Sequence, residues 1–285
     1  MRFAAFSSGG QEGLAVAAPD AEFHGLLSGD AGYPGSLDSL VRKGRGALDA
    51  AAVVLLRGQP IDLDQVKLLP PLRASEKIIC VGLNYVDHSL ESGFVVPDYP
   101  TVFTRFTSTL VGYGASIIRP RVSTQLDYEG EMVAVIGTGG RHIAEGKALD
   151  HVLGYSIFND ASIRDYQKKA PQWTIGKNFD GTGGFGPYLI TADELPAGGK
   201  GLHIQTRLNG VTVQDASTND MVFSVARLIA ILSEAITLAP GDIIVSGTPA
   251  GVGMARKPPL FMKHGDRCEV EIEGIGILAN QVEDE

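Results

Sequence analysis

The amino-acid sequence predicts an α+β fold that is rich in β-strands. After residue 70, short apolar runs with β-branched residues, which are typical of strands, outnumber the helical patterns. These runs do not alternate regularly with helices, as they would in a doubly wound parallel sheet. One strong amphipathic helix is predicted at residues 220–236. We therefore expect an irregular, strand-rich domain preceded by a smaller region.

The first 70 residues are predicted to form a small N-terminal α/β domain. Short apolar runs, such as residues 13–17, alternate there with Gly and Asp turns, and a helical pattern covers residues 37–52. The stretch 67–72 contains paired prolines, which favour extended chain and end regular structure. We interpret this stretch as a linker, so that residues 71–285 form the main domain.

The main domain is predicted to contain several strands and one long helix. The strands are expected at residues 77–82, 101–103, 131–136, 243–245 and 269–272. The helix is expected because apolar residues recur at helical spacing along one face and Pro240 and Gly241 follow its end. The residues of this face are Met221, Val225, Leu228, Ile229 and Leu232.

Composition excludes several classes of partner. A net charge of -9 and the absence of a run rich in Lys or Arg argue against nucleic acid and anionic membrane, which need a positive surface. Cys80 and Cys268 are too few for a disulfide framework, and no signal peptide or membrane-spanning run is apparent. We therefore expect a cytoplasmic protein whose partners are small molecules.

Three carboxylates form the first candidate site. Glu129 and Glu131 are two residues apart on a predicted strand, so both point to the same face. Asp160 lies among apolar residues and needs a partner if it is buried. Three carboxylates suit a hard divalent cation such as Mg²⁺ or Mn²⁺. The alternative is a strand edge whose acids face water.

Three further segments can carry chemistry. His88 and Glu91 are three residues apart, which on a helical turn would orient the imidazole as a general base, although surface His–Glu pairs are common. Lys177 could stabilise an anionic substrate or oxyanion, or simply be solvated. The glycine-rich segment 246–253 could bring Thr248 and backbone N–H groups to a carboxylate, or be only a tight turn. It lacks the nucleotide-binding signatures.

Together and in this order, these segments resemble the fumarylacetoacetate hydrolase superfamily. The resemblance covers roughly residues 75–280. Its motifs are residues 81–85 with His88 and Glu91, Asp-Tyr-Glu-Gly-Glu at 127–131, Asn-Asp at 159–160, Arg164 with Asp165 and Gln167, Gln-Trp at 172–173, Gly-Lys at 176–177, and Ser-Gly-Thr-Pro-Ala-Gly-Val-Gly at 246–253. It implies a mixed β-roll catalytic domain, usually in a homodimer, and small N-terminal domains are common in the family.

The resemblance also implies roles for individual residues. The implied ligands of one Mg²⁺ or Mn²⁺ per subunit are Glu129, Glu131 and Asp160. The implied catalytic residues are His88 and Glu91, which activate water, and Lys177. The implied substrate contacts are Tyr85, Arg105, Arg164, Gln167 and Thr248. Arg105 departs from the pattern, because many relatives have lysine there, and its planar fork suits a carboxylate or several hydroxyls.

The implied reaction is hydrolysis of a C–C bond in a 2,4-dioxo acid. Water activated by His88 would attack C4, Lys177 would stabilise the oxyanion, and pyruvate and a second carboxylic acid would leave. The leading substrate is a sugar-derived acid, 2,4-diketo-3-deoxy-L-rhamnonate or -fuconate. The alternatives are oxaloacetate decarboxylation and isomerisation of 2-hydroxyhepta-2,4-diene-1,7-dioate. A binding protein without catalysis is disfavoured, because every expected position is filled.

Overall fold

A computed structural model confirms the strand-rich α+β fold. It describes residues 1–91, 93 and 95–285. The strands of the N-terminal part are β1 (Arg2–Ser8), β2 (Gln11–Ala17), β3 (His24–Leu27), β4 (Gln59–Pro60) and β5 (Lys67–Leu68). They are followed by β6 (Ile78–Gly82), β7 (Thr101–Thr104), β8 (Leu110–Val111), β9 (Ile117–Arg119), β10 (Leu126–Asp127), β11 (Gly130–Ile136), β12 (Val152–Asp160), β13 (Ser162–Ile163), β14 (Gly183–Thr191), β15 (His203–Leu208), β16 (Val211–Ser217), β17 (Ile243–Val245), β18 (Arg267–Ile272) and β19 (Gly276–Asp284).

The helices are short and lie between the strands. They are α1 (Leu37–Arg42), α2 (Arg45–Leu55), α3 (Val86–Glu91), α4 (Arg164–Gln167), α5 (Thr174–Lys177) and α6 (Val225–Ala235). The 3₁₀ turns are Thr107–Thr109, Glu145–His151, Ala192–Glu194, Ala197–Gly199, Thr218–Asp220 and Gly253–Ala255. Three of the helices, α3, α4 and α5, carry candidate site residues.

Two large sheets organise the chain. In the larger sheet, neighbouring strands follow the order β4-β3-β2-β1-β14-β12-β11-β17-β6-β7, with β5 added to β1 and β8 to β14. The second sheet follows the order β16-β15-β18-β19-β9, and β10 and β13 form a separate pair. Most pairs are antiparallel, but β6 pairs with β17 in parallel, as do β8 with β14 and β9 with β19. The sheets are therefore mixed.

The central strand β11 is buried on both faces, which explains the unbroken apolar sequence that follows Glu131, at residues 132–136. On one face, Met132 and Ala134 join a core that includes Ile204 and Val270 of the second sheet. On the other face, Val133 packs in the core that includes the apolar residues of α1 and α2. A strand fixed on both faces is a rigid support for side chains at its end.

The structure corrects three details of the predicted elements. The helical stretch 37–52 is two helices, because Gly44 between them has a φ of 88°, which no helix accommodates. The long helix begins at Val225, where the Ser224 hydroxyl caps the Arg227 N–H group, so Met221 precedes the helix. The stretch interpreted as a linker contains β5, and Leu68 there pairs with Phe6 of β1.

The N-terminal region is continuous with the larger sheet. Strand β1 pairs with β14, where Phe3 lies opposite Leu189. The division into domains at residue 70 stays a prediction. Among the described residues, no helix is both long and apolar enough to cross a membrane.

Candidate active site

A narrow cavity of about 80 Å³ opens beside the first residues of β11. Its volume is below the range of about 300–1,000 Å³ that is usual for drug-sized ligands, so it suits a small molecule. The candidate residues that line it are His88, Glu129, Glu131, Arg164, Gln167, Lys177 and Thr248. Apolar walls are supplied by Val81, Leu83, Phe103, Trp173 and Met254. The cavity therefore combines a charged floor with apolar sides.

The three predicted carboxylates meet because β11 begins where the antiparallel strand β12 ends. Glu131 lies opposite Phe158 in this register, and Asp160 is the last residue of β12. The Asp160 N–H group donates to the Glu129 carbonyl oxygen at 2.9 Å. Each of the three side chains has a carboxylate oxygen within 4.8 Å of the others, and all three residues are buried.

Cations surround Glu129 and Asp160. Lys177 Nζ lies 2.6 Å from Glu129 Oε2 and 2.5 Å from Asp160 Oδ2. Arg164 Nη2 lies 2.7 Å from Glu129 Oε1, and Arg105 is paired with Asp160. Burial disfavours ionisation of Glu129, yet Lys177 and Arg164 hold its pKa below the usual range. Burial also opposes the charge of Lys177, but Asp160 and Glu129 raise its pKa, so the ammonium stays protonated.

Glu131 has a different environment. Its Oε2 accepts a hydrogen bond from the Gly247 N–H group at 2.6 Å, but no Lys, Arg or His nitrogen of the described chain lies within 4.0 Å of it. Burial, reinforced by Asp160 and Glu129, raises the pKa of Glu131 well above its usual value of 4.5. The site therefore has one carboxylate without a counter-charge.

This imbalance fits a divalent cation. Among the residues that the structure describes at this site, four buried carboxylates, including Asp127, face three buried cationic side chains, which are Arg105, Arg164 and Lys177. Three converging carboxylates are the donors that Mg²⁺ and Mn²⁺ prefer. Glu129, Glu131 and Asp160, called the buried acidic group below, can thus hold a divalent metal ion.

His88 and Glu91 form the predicted pair on α3. His88 Nδ1 lies 3.0 Å from Glu91 Oε1, and His88 is buried against the cavity. Both carboxylate oxygens of Glu91 accept from the Gly251 N–H group, at 3.0 and 2.9 Å. The glycine-rich segment thus holds Glu91 in place. Glu91 in turn fixes the orientation of the imidazole ring, so that Nε2 is left for a ligand.

The glycine-rich segment also carries Thr248. The Thr248 hydroxyl donates to the Gly130 carbonyl oxygen at 3.0 Å and accepts from Gln214 Nε2 at 2.8 Å. Gln214 Oε1 in turn accepts from the Gly130 N–H group at 2.9 Å. Gly247 has a φ of 100°, and a Cβ there would lie 2.7 Å from Asn84 Cβ, so only glycine fits. These contacts hold Thr248, which lines the cavity, in a fixed position.

Two predicted substrate contacts lie away from the cavity lining. Arg105 is buried behind the acidic group, where Nη2 donates to Thr182 Oγ1 at 2.6 Å besides its pairing with Asp160. Tyr85 lies in the wall of a separate cavity next to Asp87. Both substrate contacts stay predictions, and the observed position of Arg105 indicates that it holds Asp160.

Two residues that organise the site, Asp127 and Gln214, were not predicted as site residues from the sequence. Asp127 accepts from Arg164 Nε at 2.7 Å and from the Gly253 and Met254 N–H groups at 2.7 and 2.9 Å. It stands in the Asp-Tyr-Glu-Gly-Glu motif, so its proximity to Glu129 could have indicated a role. Gln214 comes from β16, far from any motif, and no local signal points to it.

Comparison with known proteins identifies the family. The family model described as fumarylacetoacetate (FAA) hydrolase C-terminal matches residues 77–283. The chain belongs to this family. Fumarylacetoacetate hydrolase family members are enzymes, and they include hydrolases, isomerases and tautomerases.

Relatives within the fumarylacetoacetate hydrolase family differ in their named reactions. The chain is 43% identical over 255 residues to oxaloacetate tautomerase Fahd2a, mitochondrial, of Rattus norvegicus, covering 89% of this chain and 81% of the relative. A fumarylacetoacetate hydrolase from psychrophilic Exiguobacterium antarcticum superposes with a TM-score of 0.86 at 37% identity over 100% of both chains. A 2-hydroxyhepta-2,4-diene-1,7-dioate isomerase from Mycobacterium marinum gives 0.75 at 29% identity, covering 100% of this chain and 99% of that one.

These findings confirm the predicted family and fold class. They favour the alternatives of the sequence analysis, oxaloacetate chemistry and isomerisation, over C–C bond hydrolysis. The cytoplasmic location stays a prediction, since the rat relative is named as mitochondrial. The homodimer also stays a prediction.

Proposed function

We propose that this protein is a divalent-cation-dependent enzyme that interconverts the enol and keto forms of oxaloacetate. The observation that carries the proposal is that Glu129 and Glu131, two members of a buried group of three carboxylates, line the same small cavity as His88. The name of the rat relative supports oxaloacetate as the substrate. The cavity volume of about 80 Å³ supports a small acid as the substrate.

Glu129, Glu131 and Asp160 are the proposed ligands of Mg²⁺ or Mn²⁺. When bound, the cation would supply Lewis acidity towards the 2-oxo group and the adjacent carboxylate of the substrate. Lys177 lies against Glu129 and Asp160 and stays protonated, so its ammonium can stabilise negative charge that develops on the 2-oxygen.

His88 is the proposed acid and base. Its Nδ1 is committed to Glu91, so Nε2 is the atom that exchanges a proton with the substrate. From enol to keto, Nε2 delivers a proton to C3 while the enol oxygen loses its proton to water. From keto to enol, Nε2 removes the C3 proton and the 2-oxygen gains one from water. Imidazole suits both directions at neutral pH.

A second candidate is hydrolysis of an acylpyruvate to pyruvate and a carboxylic acid. The same His88–Glu91 pair favours it, because an oriented imidazole can deprotonate water as well as carbon. Decarboxylation of oxaloacetate is a third outcome of the same polarised 2-oxo acid, but it needs no proton acceptor at C3. The role of His88 therefore separates decarboxylation from the other two reactions, and pyruvate release from an acylpyruvate separates hydrolysis from tautomerisation.

The test compares His88→Asn with a matched control. His203 is also paired with a carboxylate, since its Nε2 lies 2.7 Å from Asp215 Oδ1, but this pair is exposed on the second sheet. With Mg²⁺ present, the loss of enol absorbance should be slower by about 10²–10⁴-fold in His88→Asn, the usual contribution of a general acid–base group. His203→Asn should match the wild type.

Pyruvate release from acetylpyruvate and from oxaloacetate is measured in parallel. A wild-type protein that releases pyruvate from acetylpyruvate but does not speed enol loss would replace the proposal with the second candidate. An enol-to-keto rate that is the same in wild type and His88→Asn would refute the assigned acid and base.

A further inference from the structure

We propose that Lys168 binds the second carboxylate of the substrate and thereby selects dicarboxylic 2-oxo acids. This inference rests on the proposed function and adds a specificity residue to it. Lys168 was not among the residues that the sequence motifs indicated. It directly follows α4, is exposed, and is one of the residues that line the same cavity as His88 and Glu131.

Charge pairing singles out Lys168 among the cations of the cavity. Three cationic side chains line it: Arg164, Lys168 and Lys177. Arg164 is paired with Asp127 and Glu129, and Lys177 is paired with Glu129 and Asp160. Within the described part of the chain, no carboxylate lies within 4.0 Å of Lys168 Nζ. Its charge is therefore available to a ligand.

The second carboxylate of oxaloacetate needs such a partner. The first carboxylate lies at the acidic group in the proposed function, while the sides of the cavity are apolar, with Phe103, Trp173 and Met254. A carboxylate placed against apolar side chains without a counter-charge is strongly disfavoured. The whole protein carries a charge of -9, which repels a dianion, so a local cation at the cavity is needed to attract it.

Packing fixes the position from which Lys168 reaches the cavity. Its N–H group donates to the Arg164 carbonyl oxygen at 3.1 Å, which closes the last turn of α4. Helix α5 lies tightly against α4, since a Cβ at Gly176 would come within 2.3 Å of the Gln167 nitrogen. Gln167 Oε1 accepts from Arg164 Nη1 at 2.9 Å, which holds the preceding side chain in place. The backbone of Lys168 is thus held in a fixed position beside the cavity.

The test uses two substrates that differ by one charge, oxaloacetate and its 4-methyl ester. Lys168→Gln should lower the ratio of kcat/KM for oxaloacetate to that for the ester by about three- to fivefold, the scale of a partly exposed ion pair. Lys168→Arg should retain the ratio. Lys169→Gln is the matched control, because Lys169 Nζ lies 3.2 Å from the centre of the Tyr166 ring and does not line the cavity.

Titration calorimetry with Mg²⁺ measures the dissociation constants of the same two compounds. Loss of discrimination in Lys168→Gln alone supports the inference. An equal change for both compounds, no change for either, or the same effect from Lys169→Gln overturns it. If neither compound is turned over by the wild type, the proposed function fails, while the ratio of dissociation constants still decides the role of Lys168.

Discussion

Glu131 is the residue at which the charges of the site fail to balance. Glu129 and Asp160 have cationic partners at 2.5–2.7 Å, whereas Glu131 has only the Gly247 N–H group. Without a metal ion, burial and the neighbouring carboxylates raise the pKa of Glu131 well above 4.5. A bound cation would reverse this effect, because it favours the ionised form and displaces the proton.

This environment predicts an unusual pH dependence of stability. Folding makes Glu131 hold its proton more tightly than the unfolded chain does, so the free energy of unfolding of the metal-free protein should fall as pH rises above about 4.5, by up to about 1.4 kcal/mol per unit. Urea unfolding in EDTA between pH 5.5 and 7.5 measures it. This range lies above the ordinary pKa of 4.5 for Glu129, whose folded-state pKa is lowered, so the contribution of Glu129 is constant there.

Glu131→Gln supplies the comparison. The variant should lose this slope, and Mg²⁺ should abolish it in the wild type. Identical slopes for wild type and variant in EDTA would contradict the assignment of Glu131 as the uncompensated carboxylate.

At this scale, the sequence predicted which carboxylates meet but not how their charges are neutralised. The two-residue spacing of Glu129 and Glu131 indicates a shared face, since strand geometry is local. That Arg105 lies behind Asp160, and that Gln214 holds Thr248, depends on contacts between residues far apart in the chain. Such contacts follow from sheet packing, which no local pattern encodes.

Among the elements, α3 connects the proposed base to the glycine-rich segment. Glu91, the last residue of α3, contacts both His88 and the Gly251 N–H group. Gly251 has a φ of 106°, and a Cβ there would lie 2.1 Å from the Val213 carbonyl oxygen, so the segment cannot shift easily. The Gly251 contact therefore anchors a short helix that has little intrinsic stability of its own.

Removal of this anchor should loosen α3. In Glu91→Ala, we expect faster amide hydrogen exchange within Val86–Glu91 and a fall in kcat of about 10²-fold, because His88 loses its orienting partner. Glu91→Gln keeps one acceptor oxygen for the Gly251 N–H group, so its amide hydrogens in this helix should exchange more slowly than those of Glu91→Ala. Exchange that is equally slow in all three proteins would show that the Gly251 contact does not hold the helix.

Elements were predictable where one local signal dominates. The apolar run of β11 predicts its strand directly. Helix starts were harder to predict from the sequence. Ser224 is the N-cap of α6, but the apolar residues at helical spacing already begin at Met221. Likewise, the backbone conformation of Gly44 separates α1 from α2, and the spacing of apolar residues does not predict that break.

Across the whole molecule, the N-terminal region shares a core with strands β11 and β12 of the larger sheet. Phe3, Leu14 and Leu48 lie in the same buried cluster as Val133 and Phe158. Strand β1 also supplies the neighbour of β14 in the larger sheet. Burial of this kind predicts that the two regions unfold together.

Removal of residues 1–70 should therefore destabilise the remainder. We expect the fragment 71–285 to be insoluble or to have a lower Tm, since it exposes the edge of β14 and an apolar face. In the full chain, Phe3→Ala should cost about 3–5 kcal/mol, whereas Val53→Ala, at a side chain that is 55% exposed, should change stability by less than about 0.5 kcal/mol. A fragment with the Tm of the full chain would establish residues 1–70 as an independent domain.

Members of the family perform several reactions on one fold, so the fold alone does not identify the reaction of this chain. Proton exchange at C3 of the substrate distinguishes tautomerisation from the reactions that release pyruvate. The most direct measurement follows oxaloacetate in D₂O with Mg²⁺ by NMR, comparing the protein with buffer and metal alone. We predict that the wild type speeds deuterium incorporation at C3 well before pyruvate accumulates, and that His88→Asn does not. Accelerated pyruvate formation without accelerated exchange at C3 would contradict this account.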